Sequence, residues 1–117
     1  MKALGTIIIK KTAFKITAAG QRLVDTTTVY NFIETIPPTS PNSFTLTGGQ
    51  MKTFSNVIPN GAYMITENAT VISFNLTCTE TDMSAPSFII DKAGKKVTIN
   101  LQPGETVTCT FTNTKRA

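Results

Sequence analysis

The chain is written in short runs of alternating or continuous apolar residues, each closed by glycine, proline, asparagine or aspartate, and apolar spacing of helical period is almost absent. Side chains alternate faces along a strand, so this pattern calls for strands and not helices. Strands are expected over Gly5–Phe14, Thr27–Thr35, Ser43–Leu46, Met51–Ile58, Ala62–Glu67, Val71–Thr79, Lys96–Leu101 and Glu105–Asn113, with a short run Ser87–Ile90 pairing at an edge. Pro59-Asn60-Gly61 and Pro103-Gly104 are expected turns, with glycine supplying a positive φ. The run Pro37-Pro38-Thr39-Ser40-Pro41 cannot lie inside a sheet and is expected to be a loop. Many short strands at this spacing indicate a sandwich or a small barrel, and the length fits a single domain over 1–117.

Only 15% of the residues are charged, against about a quarter in an average soluble protein, and threonine recurs throughout. A β-branched residue with a hydroxyl suits the solvated face of a strand. A threonine-rich chain without tryptophan or histidine reads as an extracellular or cell-surface β-protein. The formal charge of +4 comes largely from scattered pairs, Lys10-Lys11, Lys95-Lys96 and Lys115-Arg116, with no interleaved aromatics. Nucleic acid is therefore not an expected partner. No segment reads as a membrane span. The opening MKALGTIIIKK has too short an apolar core for a signal peptide and is taken as the first strand, so an exported protein would need a leader this chain lacks.

Strand parity makes a sharper statement. Ile7, Ile9 and Lys11 share a face; so do Tyr63, Ile65 and Glu67; so do Val107, Cys109, Phe111 and Asn113. The apolar members mark the inward face, which leaves an amine, a carboxyl and a carboxamide each at the end of an apolar stripe. Burial favours the neutral forms of lysine and glutamate. A neutral Lys11 amine is a nucleophile, and a protonated Glu67 can polarise the Asn113 carboxamide. In contact, the three can condense with loss of ammonia to an isopeptide cross-link. The plainer alternative is that polar residues are ordinary at strand ends, where lysine can snorkel to water.

The same residues carry a resemblance. The opening GTIIIKK, the run FSNVIPNGAYMITE and the closing QPGETVTCTFTNTKR resemble the B-type repeat domain of collagen adhesins, within the prealbumin-like group of surface-protein modules. The resemblance covers Gly5 to Arg116. It implies a sandwich used as a stalk, spacer or pilin-like unit, with Lys11 as the reactive lysine, Glu67 as the catalytic acid and Asn113 as the acceptor. Asn60 is an insertion where that family has Pro-Gly directly, and Pro37–Ser43 departs from its pattern. The expected fold class is thus all-β, an immunoglobulin-like or prealbumin-like β-sandwich of about seven to eight strands.

Cys78 shares parity with Ile72, Phe74 and Leu76, and Cys109 also points inward. Two inward thiols in an extracellular protein favour a disulfide, although cysteine is also a good small core residue. With two cysteines and no histidine, no metal is expected, and no cofactor. Asn68-Ala69-Thr70 and Asn75-Leu76-Thr77 match the N-glycosylation acceptor pattern. The expected function is structural, with neighbouring copies of the domain as partners, in tandem or in a filament. One variant has the apolar Gly5–Ile9 strand exposed and donated to a neighbour. The alternative is an adhesin module for a glycan or host protein, for which Tyr30 and Phe54 are the exposed aromatic candidates. An enzyme acting on an external substrate is not expected, because the chain has neither a histidine base nor a nucleophile elbow.

Overall fold

Ten strands form two five-stranded sheets in the computed structural model, which describes residues 3–36, 42–59, 61–81 and 87–117. In chain order they are β1 (Gly5–Ile16), β2 (Arg22–Val24), β3 (Tyr30–Glu34), β4 (Asn42–Leu46), β5 (Met51–Val57), β6 (Ala62–Asn68), β7 (Ser73–Glu80), β8 (Phe88–Asp91), β9 (Lys96–Asn100) and β10 (Thr106–Arg116). One sheet has the order β2-β1-β10-β7, with β5 also pairing β1; the other has the order β4-β3-β6-β9-β8. The expected turn 59–61 and loop 37–41 fall partly or wholly outside the described residues.

The first and last long strands, β1 and β10, are parallel neighbours, in unbroken register from Thr6↔Thr106 to Ile16↔Arg116. The inward residues of both are apolar over most of that length: Ile7, Ile9, Val107, Cys109 and Phe111 are fully buried. They face Phe32, Ile65, Val97 and Ile99 of the second sheet, which are also fully buried. Phe32 meets Phe111 edge-on at 5.2 Å between ring centres, so aromatic packing joins the two sheets at mid-height. The sandwich is the two-layer solution for strands that are apolar on one face.

Three expectations are corrected. Gly5–Ile9 is not an exposed edge: it is hydrogen-bonded to β10 on one side and to β5 on the other. Backbone pairing along both flanks leaves no open edge to donate, and Ile7 and Ile9 are fully buried. Tyr30 is also inside, 4% exposed. The strand expected from Thr27 begins only at Tyr30, because the buried Asp25 carboxylate collects the backbone N–H groups and hydroxyls of Thr27 and Thr28 into a turn.

Two turn glycines have distinct reasons. Gly104 has φ of 71°, the left-handed value expected after Pro103. Gly61 leaves room for a ring: a Cβ there would lie 2.6 Å from Tyr63 Cζ. The Tyr63 hydroxyl in turn donates to the Ile58 carbonyl and closes the β5–β6 connection.

Candidate functional site

Lys11, Glu67 and Asn113 meet at one point of the core. Lys11 is on β1, Asn113 on the adjacent β10, and Glu67 on β6 of the opposing sheet. The Lys11 and Glu67 side chains are fully buried, and Lys11 Nζ lies 2.8 Å from Glu67 Oε2. The contact is a buried ion pair that joins the two sheets. Asn113 has no exposure at all, and neither its amide nitrogen nor its oxygen has a hydrogen-bond partner among the described residues. A carboxamide buried in this way costs about 1–3 kcal/mol, so the site holds polar groups that packing alone does not account for.

Each of the three is set beside a phenylalanine. Lys11 pairs with Phe111, Glu67 with Phe32 and Asn113 with Phe74. Direct cross-strand partners share a face, so the polar atoms are walled by rings. Phe111 contacts both Phe32 and Phe74 edge-on, and Phe32 stacks on Phe44 at 5.0 Å. Burial pushes the Lys11 ammonium below its ordinary value, and the neighbouring Glu67 charge opposes that shift without reversing it. The environment therefore favours the amine that nucleophilic attack requires.

Tyr30 is the member that sequence reasoning missed. Lys11 Nζ stands 4.3 Å from the centre of its ring, and its hydroxyl is buried without a hydrogen-bond partner among the described residues. Burial raises its pKa, with Asp25 and Glu67 adding to the shift. The signal was available, since Tyr30 shares strand parity with Phe32 and Glu34.

Cys78 and Cys109 are directly paired on β7 and β10 and joined as a disulfide, with Cα atoms 4.1 Å apart. The disulfide thus joins β10 to β7, on the flank of β10 opposite β1. Asn68 and Asn75, with Thr70 and Thr77 of their acceptor patterns, are all exposed. Phe54 is half-buried and packs edge-on against Phe44, so neither aromatic residue proposed for ligand contact forms an open platform.

The two sheets and the residues between them define a prealbumin-like β-sandwich. The chain belongs to the prealbumin-like fold domain family, whose profile matches residues 5–115. Among solved structures it is similar to a point mutant of the major pilin from Streptococcus pyogenes, with a TM-score of 0.72 and 17% identity over 98% of this chain and 49% of that one. It is also similar to a bacterial adhesin from Mobiluncus mulieris containing intramolecular disulfide, isopeptide and ester bond cross-links (TM-score 0.68, 17% identity, 95% of this chain and 41% of that one). A pilus-presented adhesin matches with a TM-score of 0.62 and 12% identity over 98% of this chain and 28% of that one. The chain therefore spans about half or less of the length of these structures. Comparison with curated protein sequences returns no match.

Proposed function

We propose that the chain is a structural module of an extracellular surface protein or filament, a stalk, spacer or pilin-like unit, whose terminal strands are joined by an isopeptide bond between Lys11 and Asn113. The observation that carries this reading is the burial, in one aromatic enclosure, of an amine on a carboxylate beside a carboxamide without a hydrogen-bond partner among the described residues. Lys11 and Asn113 stand on one face of parallel neighbours, offset by two residues. Strand spacing and rise put their Cα atoms about 8 Å apart, within reach of a lysine side chain.

The chemistry follows from the residues. A proton passes from Lys11 Nζ to the Glu67 carboxylate, leaving an uncharged amine. The amine attacks Asn113 Cγ while Glu67 donates to the carboxamide oxygen. The tetrahedral centre collapses, the C–N bond to the original amide nitrogen breaks, and the nitrogen leaves as ammonia with the proton delivered through Glu67. The product is a secondary amide, so no charge remains at Lys11. The fold holds the reactants in contact, which is where most of the acceleration comes from. Glu67 ends holding the proton that Lys11 gave up, and each chain reacts once. This is not turnover of an external substrate.

The likeness to pilin and pilus-presented adhesin folds supports placement at the cell surface, with neighbouring domains in tandem or in a filament as partners. The exposure of Asn68 and Asn75 is compatible with their use as glycan acceptors. Intact mass of the purified, reduced protein tests the central claim. A deficit of one ammonia, absent in Lys11→Ala, is the expected result; a full mass in the unsubstituted protein overturns the cross-link.

A further inference from the structure

The cations of this chain are gathered at one end. Lys15 and Lys115 are direct partners at the end of the β1–β10 ladder, and Arg22, Ile16 and Arg116 form the next row. From the other sheet, the turn between β8 and β9 brings Lys92, Lys95 and Lys96 to the same end. Two contacts fix that placement: the Lys95 carbonyl accepts the Glu67 N–H, and Lys95 Nζ lies 5.9 Å from the Phe74 ring centre, beside Asn113. Seven of the eleven Lys and Arg residues thus lie at this end, all of them exposed or half-exposed.

Among the described residues, acidic side chains offset little of this charge. Among the described residues none of the seven is ion-paired. Of the nearby carboxylates, Asp25 and Glu67 are buried and committed to Thr27, Thr28 and Lys11. Asp91 is exposed, stands directly opposite Lys96 and accepts from the Gly94 N–H, so it offsets at most one of the seven charges. Like charges set directly opposite on neighbouring strands, as Lys15 and Lys115 are, destabilise a sheet. Such an arrangement is relieved by an external anion.

We propose that this end of the sandwich is a docking surface for an anionic glycan, a polymer bearing phosphate or sulfate groups. The cations span both sheets, which pack about 10 Å apart, so a single small anion cannot reach them all, whereas a chain of anionic groups can. The Arg22 guanidinium stacks on Phe14 at 3.6 Å, which leaves its N–H edge free to fork onto a phosphate or sulfate. With Phe14 covered, no open aromatic platform is left there for stacking bases. A second copy of the chain is a poor occupant: toward the opposite end Glu34 and Glu105 are buried, and among the described residues there only the Glu80 carboxylate is partly exposed. The proposal is independent of the Lys11–Asn113 bond.

The test is a binding titration of the whole chain with a sulfated glycan (heparin), a poly(glycerol phosphate) and neutral dextran. One or both anionic polymers bind, dextran does not, and affinity falls by about tenfold or more between roughly 0.05 and 0.2 M salt. Heparin binding alone identifies sulfate as the ligand chemistry; poly(glycerol phosphate) binding alone identifies phosphate. Lys115→Glu/Arg116→Glu weakens binding by about tenfold or more, and Lys92→Glu/Lys96→Glu serves as a second variant should the first fail to fold. Lys10→Glu/Lys52→Glu changes the net charge equally, away from this end, and leaves affinity within about twofold. Equal loss in both kinds of variant, no binding by either anionic polymer, or end-to-end self-association as the sole effect would overturn the proposal.

Discussion

Lys11 and Asn113 occupy the inner face of two adjacent parallel strands, two residues out of step: Lys11 is opposite Phe111, and Asn113 is opposite Ala13. Glu67 reaches their site from the other sheet, so the three polar groups converge only when both sheets have docked. Glu67→Gln is therefore expected to fold without condensing, and its intact mass retains the ammonia. It also leaves the Lys11 charge buried without a counter-charge, which costs about 3–5 kcal/mol. Denaturant unfolding checks the second effect separately from the first.

A pH dependence follows for protein that cannot cross-link, such as Asn113→Ala. The folded-state pKa of Lys11 is below the ordinary 10.5. Between the two values the unfolded chain holds more protons, so unfolding free energy rises with pH across that window. The gain is at most about 1.4 kcal/mol per pH unit for one proton. Tyr30, whose pKa is raised above 10.0, works in the opposite direction at higher pH, because the unfolded chain then loses its proton first. Urea unfolding below pH 10.0, before Tyr30 titrates in the unfolded chain, isolates the lysine contribution. The cross-linked protein, with Lys11 as an amide, lacks that slope, and so does Asn113→Ala/Lys11→Met.

Tyr30 separates ring from hydroxyl. Its ring faces the Lys11 amine, whereas its hydroxyl has no hydrogen-bond partner among the described residues. Tyr30→Phe keeps the ring and is expected to cross-link fully, with stability raised by about 1 kcal/mol through removal of the unsatisfied group. Tyr30→Leu removes the ring face, and a pulse of refolding followed by mass measurement should show slower ammonia loss. Equal rates in the two variants would mean that the ring does not position the amine.

The inward positions of Lys11, Glu67 and Asn113 were legible because each lies on an unbroken strand whose apolar residues fix the parity. Parity does not say which strands are neighbours. That β1 lies between β10 and β5 depends on pairing across the whole chain, and so Gly5–Ile9 looked available for donation when it is enclosed. Arg22–Val24 left no trace because three exposed residues have no inward face to show; only backbone pairing with Phe14–Ile16 makes them a strand. Tyr30 was misjudged although its parity with Phe32 placed it inside. The basic end was visible only as scattered pairs, since Lys95 and Lys115 come together through the approach of two sheets.

The disulfide should contribute through the unfolded chain. Cys78 and Cys109 are 31 residues apart in sequence, and closing a loop of that length removes roughly 3–4 kcal/mol of chain entropy from the denatured state. Cys78→Ala/Cys109→Ala is expected to lose about that much stability, with a steeper urea dependence because more surface is exposed on unfolding. An unchanged midpoint would show that pairing between β7 and β10 already restricts the unfolded chain.

Parallel pairing of β1 and β10 also sets the response to force. The start of β1 and the end of β10 lie at opposite ends of their ladder, so tension applied outside them loads eleven residue pairs in shear, all at once. With Lys11 joined to Asn113, the load passes through the side-chain amide and bypasses the chain between them. Single-molecule pulling on the cross-linked domain should then show no unfolding extension. Lys11→Ala should unfold with its disulfide intact and lengthen by on the order of 200 Å, since the residues enclosed by Cys78 and Cys109 stay looped. Reduction should release about 100 Å more. An extension of that size in the unsubstituted protein would mean that the terminal strands are held by hydrogen bonds and packing alone.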